Sequence, residues 1–264
     1  MLQETITRDQ PLRRWQDYVV PQCWESFTAD DHAVWDLLFA RQVELLGSRV
    51  VSAFFDGIDL LKLSHPGVPD VEGLNAILEP RTGWQTVAVP GLVPDDVFFA
   101  MLSERVFPVG NFIRTRAQLD YLEAPDCFHD MFGHIPMLAH HDFAEMAQHI
   151  GRLGTAAIAA GQGRRAAQLY WHSVEFSLSK EHGELKILGA GLASSFGESH
   201  FSLESDESRF VNRRRRGRSG PRRRRTGRAR DLLPARPHSS QQSPVQGGGP
   251  AACRAHPGRL RPEA

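Results

Sequence analysis

The chain has 264 residues, enough for one sizeable domain, with an ordinary apolar content of 41% and a formal net charge of zero. That zero joins two unlike parts: residues 1–210 hold 16 Lys/Arg against 29 Asp/Glu, a net −13, and residues 211–264 hold 15 Arg against 2 acids, a net +13. No run has the apolar length of a membrane span, the first 14 residues lack the apolar centre of a signal peptide, and three scattered cysteines (Cys23, Cys127, Cys253) argue against a disulfide framework or a zinc knuckle; a soluble, cytoplasmic protein is expected.

Residues 1–28 read as an extended arm with Pro11, Pro21, Trp15, Tyr18 and Trp24. A long helix follows, capped by Asp30 or Asp31, with Trp35, Leu38, Phe39, Val43 and Leu46 at helical spacing and Gly47 as its stop. Residues 50–80 carry Gly57, Pro66, Gly67 and Pro69, which predict short elements and turns. Thr86–Val89 is a short apolar run closed by Pro90-Gly91, and Pro94-Asp95-Asp96 opens a helix with acids at its positive end. Apolar residues alternate over 105–116, helical patterns resume over 125–138, 142–160 and 163–180, and Leu185–Leu188 reads as a short strand. The expected body is mainly α with a few short β-strands.

Beyond Arg209 the composition changes. Residues 213–264 contain no Phe, Tyr, Trp, Ile, Met or Lys, and such a segment buries too little apolar surface to offset its chain entropy, so disorder is expected.

The chemistry concentrates in Pro125-Asp126-Cys127-Phe128-His129-Asp130-Met131-Phe132-Gly133-His134-Ile135-Pro136, and Glu175 follows in Tyr170-Trp171-His172-Ser173-Val174-Glu175-Phe176. Two imidazoles and a carboxylate suit a facial triad on iron(II), which leaves other coordination positions open. Spacing alone is weak support, because residues five apart on a regular α-helix differ by about 140° in azimuth; either histidine would have to sit at a distorted turn. Glu175 fits an ordinary ion pair, Trp171 and Phe176 fit a core helix face, Arg114 a surface position and Gly91 a plain turn. The His/His/Glu set by itself would also serve a zinc hydrolase.

The string Pro-Asp-x-x-His-Asp-x-x-Gly-His-x-Pro, then Tyr-Trp-x-x-Val-Glu-Phe, then Gly189-Ala-Gly-x-x-Ser-Ser-Phe-Gly-Glu198, resembles the biopterin-dependent aromatic amino acid hydroxylase family. The order of the three motifs, with His32–Gln42 matching the family's earlier signature, extends the resemblance from about Val20 to about Ser208. It implies that family's catalytic-domain fold, with His129, His134 and Glu175 as iron(II) ligands. It implies tetrahydrobiopterin contacts from Gly91, Leu92, Val93, Phe98, Asp130, Ala167 and Tyr170. It places the amino acid substrate against Arg114, Pro125, His129, Trp171, Phe176 and Ser194, with Arg114 gripping the carboxylate through its planar fork. Ala124 and Ser177 depart from the family's usual Glu and Gly.

By this resemblance the chain hydroxylates L-phenylalanine with O2 and a tetrahydropterin, most like the compact bacterial phenylalanine hydroxylases, as a monomer; tyrosine or tryptophan is the alternative substrate. The catalytic domain is expected over residues 1–210, with its C-terminal part missing. Residues 211–264 would be a tail, read either as a nucleic-acid-binding arm, since Arg213–Arg216 and Arg222–Arg225 could neutralise phosphates, or, on the loss of six residue types, as the product of a shifted reading frame. The second reading is preferred, so a nucleic-acid partner is not expected.

Overall fold

The protein is described by a computed structural model over residues 13–120, 122 and 124–205. The expected break near residue 210 and the arginine-rich segment lie outside these residues.

Two short 3₁₀ turns, Trp15–Tyr18 and Trp24–Ser26, occupy the stretch read as an extended arm. Helix α1 (Ala29–Leu46) starts at Thr28, not at Asp30 or Asp31. The Asp31 N–H donates to the Thr28 hydroxyl and the Thr28 N–H donates to the Asp31 carboxylate, so Asp31 is the third residue of a capping box. Its inward face buries Val34, Trp35, Leu38 and Leu46. Residues 50–80 are more helical than their glycines and prolines suggested: α2 (Ser52–Leu60) and α3 (Val71–Thr82) fill most of the span. Pro66, Gly67 and Pro69 fall in the connection, and Asp70 caps α3 by accepting the Glu72 and Gly73 N–H groups.

Strand β1 (Gln85–Val89) pairs in parallel with β2 (Val106–Gly110), from Gln85↔Val106 to Val89↔Gly110. Helix α4 (Asp95–Ser103) makes the crossover that a parallel pair requires. After β2 comes a π-helical turn, His129–His134, that runs into α5 (Ile135–Leu138). Helix α6 (His141–Ala159) lies close against α4, because a Cβ on Gly151 or Gly154 would overlap Ser103 and Phe99. Helix α7 (Gly163–Tyr170) passes into a second π-helical turn, Trp171–Glu175, where helix ends.

The helix expected to continue to residue 180 therefore stops at Glu175. Residues 178–181 instead form β3 (Leu178–Glu181), antiparallel to β4 (Glu184–Ile187). His182 and Gly183, at φ 50° and 87°, make the two-residue turn, a backbone shape that matches strand twist. A bridge between Val50 and Ile187 ties this hairpin to the exit of α1. Short helices α8 (Ala190–Ser194) and α9 (Phe196–Glu204) close the described part.

One large apolar cluster extends from Val34 of α1 to Ala193 of α8. At its centre Phe128 stacks on Phe132 at 4.8 Å, Trp35 meets Phe128 edge-on at 5.2 Å, and Phe54 meets Phe132 at 5.4 Å. These rings hold the buried face of the first π turn, which fixes where its histidines point. Among the described residues no helix is long and apolar enough to cross a membrane.

Candidate metal centre

The five-residue spacing of His129 and His134 is resolved by the backbone. A π-helical turn bonds residue i to i+5, so a side chain five positions on returns near the same face. The imidazoles accordingly meet, with Nε2 of His129 3.1 Å from Nε2 of His134. The second π turn does the same for Tyr170 and Glu175, also five apart, whose side chains both turn to His134. Glu175 then reaches across, its Oε1 3.1 Å from His134 Nε2 and its Oε2 3.8 Å from His129 Nε2. The ligand-type atoms of the three residues lie within 4.8 Å of one another.

The hydrogen bonds of Ser194 assign the bare nitrogen of His129. The Ser194 hydroxyl donates its one proton to Ala190 O at 2.9 Å, so toward His129 Nδ1, at 2.8 Å, it acts as the acceptor. Nδ1 therefore carries the proton, and Nε2 turns a lone pair toward His134 and Glu175. On the other side the Tyr170 hydroxyl lies 3.5 Å from His134 Nδ1. The bare Nε2 of His129 thus faces a carboxylate at the centre of the cluster, an arrangement that a divalent cation relieves. Burial pushes the His129 pKa down to about 4, against the opposing charge of Glu175. Burial alone would raise the Glu175 carboxyl, but the charge and hydrogen bond of His134, the charge of His129 and the Tyr170 hydroxyl bring it to about 2. At neutral pH His129 is neutral and Glu175 ionised, the forms that bind metal.

A second carboxylate organises the approach to this cluster. Asp126 is fully buried and takes two side-chain bonds from Arg114, Nε to Oδ2 and Nη2 to Oδ1, both 2.8 Å. It also accepts the backbone N–H of Arg114 at 2.9 Å and of His129 at 3.1 Å. Burial would raise this carboxyl, yet the hydrogen bonds and charge of Arg114, with the two N–H groups, hold it below its usual value. Asp130 faces the sheet, where its Oδ2 accepts the Gly110 N–H at 2.8 Å. Burial lifts its carboxyl to about 7, with Gly110 and His134 opposing and the charges of Asp126 and Glu175 adding to the rise.

Residues 17–215 match the family described as biopterin-dependent aromatic amino acid hydroxylase. The chain belongs to this family. Phenylalanine-4-hydroxylase of Caulobacter vibrioides is 47% identical over 188 residues, which are 71% of this chain and 64% of that protein. The chain thus spans slightly less than two thirds of that relative's length. Crystal structures of Chromobacterium violaceum phenylalanine hydroxylase superpose with TM-scores of 0.69 and 0.68 at 44% and 42% identity, covering 72% of this chain and 69% of theirs. One holds iron(III) and oxidised 7,8-dihydrobiopterin, the other iron and phenylalanine. Tyrosine 3-monooxygenase of Rattus norvegicus is 34% identical over 185 residues, 69% of this chain and 37% of that protein.

Of the residues that the family resemblance assigns to pterin, Phe98 and Tyr170 meet edge-on at 5.0 Å and Tyr170 lies over His134, so both border the cluster. Ala167 is half-buried one turn before Tyr170. Gly91, Leu92 and Val93 hang from the end of β1, beside the Gly110 that holds Asp130. Val93 packs against the small cluster around Val89, Val97, Met101 and Val106, while Leu92 stands in solvent, 75% exposed. Of the residues assigned to substrate, Trp171 and Phe176 lie ring to ring at 4.4 Å, with Trp171 half in solvent. Pro125 is half-buried, its carbonyl 3.5 Å from where a Cβ on Gly110 would sit. Arg114 turns its Nε edge to Asp126, and Ser194 turns its hydroxyl to His129.

Sequence reading leaves Asp126, Gly133 and Gly189 without roles. A Cβ on Gly133 would sit 2.9 Å from Ala190 O and 3.3 Å from Ser194 Oγ, and one on Gly189 would overlap the Glu175 carbonyl. The signal was present in the Gly-Ala-Gly motif, which marks close backbone approach, but nothing in it says what approaches.

Proposed function

We propose that this chain is a phenylalanine 4-monooxygenase that converts L-phenylalanine to L-tyrosine with O2 and a tetrahydropterin at an iron(II) centre. The observation that carries the proposal is the convergence of His129 Nε2, His134 Nε2 and the Glu175 carboxylate, at the positions where family motifs place iron ligands. Nitrogen and oxygen donors without a thiolate suit iron(II). Greater similarity to a phenylalanine-4-hydroxylase than to a tyrosine 3-monooxygenase supports phenylalanine as the substrate. Iron(II) and tetrahydropterin together would supply the electrons that activate O2 for insertion into the aromatic ring.

The chain's own residues would bind and orient. Arg114, braced by Asp126 along its Nε edge, keeps Nη1 for the substrate carboxylate. Trp171, Phe176, Pro125 and His129 would frame the aromatic ring, and Phe98, Tyr170, Ala167, Asp130 and the Gly91–Leu92–Val93 turn would hold the pterin. Ser194, in this reading, holds the His129 ring and through it the substrate's side of the site. The enzyme would work as a cytoplasmic monomer. The catalytic unit would extend to about residue 210, with residues 211–264 arising from a shifted reading frame, a reading supported by the loss of six residue types after Asn212.

The test is anaerobic reconstitution with iron(II), then addition of tetrahydropterin, phenylalanine and O2, with tyrosine as the readout. Tyrosine should form in proportion to pterin oxidised, and Glu175→Ala should abolish it. Folded protein that binds iron through His129 and His134 yet hydroxylates tyrosine or tryptophan instead would correct the substrate. Folded protein that binds no iron would overturn the site.

A further inference from the structure

Helix α8 touches both ligand-bearing π turns. At its end Ser194 holds His129 Nδ1, as described above. At its start it meets the third ligand through two glycines. A Cβ on Gly189 would collide with the Glu175 main chain, so that glycine sets how close the backbones lie. Gly191 is different, because its nearest neighbour is the functional end of the side chain: an ideal Cβ there would sit 3.0 Å from Glu175 Oε2, 3.1 Å from Phe176 Cζ and 3.2 Å from Glu175 O. Gly191 is buried in a helical segment and does not adopt a positive φ, so the backbone itself would accept alanine. What alanine would remove is the space that Glu175 Oε2 now uses.

We propose that Gly191 is a positioning residue for the metal centre: by presenting no side chain it sets the orientation of the Glu175 carboxylate. The proposal rests on the metal-centre reading above. Oε1 faces His134 at 3.1 Å while Oε2, 3.8 Å from His129, lies on the Gly191 side. A methyl at Gly191 pushes Oε2 toward the histidines or turns the carboxylate about its Cγ–Cδ bond. Either motion changes which oxygen, and how many oxygens, the metal can take. The same methyl presses on Phe176, one of the rings expected around the substrate, so a shift in substrate affinity should accompany the shift at the metal.

Cobalt(II), whose visible absorption reports coordination geometry, is the probe. It is titrated into the full chain in wild-type, Gly191→Ala, Glu175→Asp and the double variant, with Gly197→Ala, where a Cβ meets nothing within 4 Å, as the control. His129→Ala should lose cobalt binding whatever Gly191 does, which tests the metal site separately. Gly191→Ala should bind cobalt about tenfold more weakly, the lower end of what supporting residues of metal sites cost, with an altered visible spectrum. In the Glu175→Asp background, where the carboxylate is one methylene shorter, the same substitution should cost little. Unchanged affinity and spectrum in folded Gly191→Ala, or an equal loss in both backgrounds, would overturn the proposal. If Gly191→Ala fails to fold alone but folds with Glu175→Asp, direct contact with the carboxylate is upheld; failure in both backgrounds assigns Gly191 to packing and removes the positioning role.

Discussion

Ser194 shows how a single hydroxyl can govern a metal ligand. Its proton is committed to Ala190 O, and its lone pair holds the proton of His129 Nδ1. Ser194→Ala frees His129 to take the other tautomer or rotate, and supporting partners of this kind are worth about 10–100-fold in metal affinity. We expect cobalt or iron(II) affinity to fall by that order while KM for the amino acid changes less than threefold, measured on metal-saturated enzyme. A KM that rises tenfold with metal affinity intact would instead return Ser194 to the direct substrate contact that the family resemblance implied. At this scale the sequence was informative about identity: the types of His129, His134, Glu175 and Arg114, and their motifs, singled them out. Partners were not legible. Nothing in the string shows that the Ser194 proton is already spent, or that Asp126 braces Arg114.

At the scale of elements, the Asp126–Arg114 pair joins the exit of β2 to the start of the first π turn. Arg114 follows the strand, and Asp126 also accepts the N–H of His129, so one carboxylate fixes both. Asp126→Asn leaves a guanidinium that is only 9% exposed without its counter-charge, a loss that costs about 3–5 kcal/mol. The sign of the pH effect follows from the depressed Asp126 carboxyl. Its folded pKa lies below the unfolded value of about 3.9, so its contribution is complete above that pH and is lost as pH falls through the folded value. Denaturant unfolding should show the variant destabilised by that amount at pH 7, with the gap to wild type closing only below about pH 4. A gap that stays constant down to pH 2 would mean the ion pair is not its source. The elements themselves were partly legible. Strong apolar periodicity marked α1, α4 and α6, but the π turns break the 3.6-residue period and so appeared only as an awkward five-residue spacing. Strand β3 was read as helix because Leu178–Glu181 is a short, half-exposed run following a helical one; the His182-Gly183 pair was the available turn signal.

For the molecule as a whole, the arrangement of ligands makes metal binding a measure of folding. His129 and His134 sit on a turn anchored by Phe128 and Phe132 in the central cluster, whereas Glu175 ends the α7 segment and leans on α8. These elements come together only when the cluster from α1 to α8 has formed, and an unfolded chain offers the three donors no common point. A metal that binds only the folded state stabilises it by mass action, by about 2.7 kcal/mol at a hundredfold excess over Kd. For a domain of this size each kcal/mol raises Tm by about 2–4 °C, so cobalt or iron(II) at that excess should raise Tm by about 5–10 °C. His134→Ala removes a donor that is almost wholly buried, so it should lower the metal-free Tm through the cavity it leaves and also erase the metal-dependent rise. The two effects separate on one instrument: the first is read without metal, the second as the difference between scans. A rise that persists in His134→Ala would place the stabilising metal elsewhere. Absence of a rise in wild-type protein, under conditions where metal uptake is shown by absorption, would mean that the donors already share a site before the core is complete.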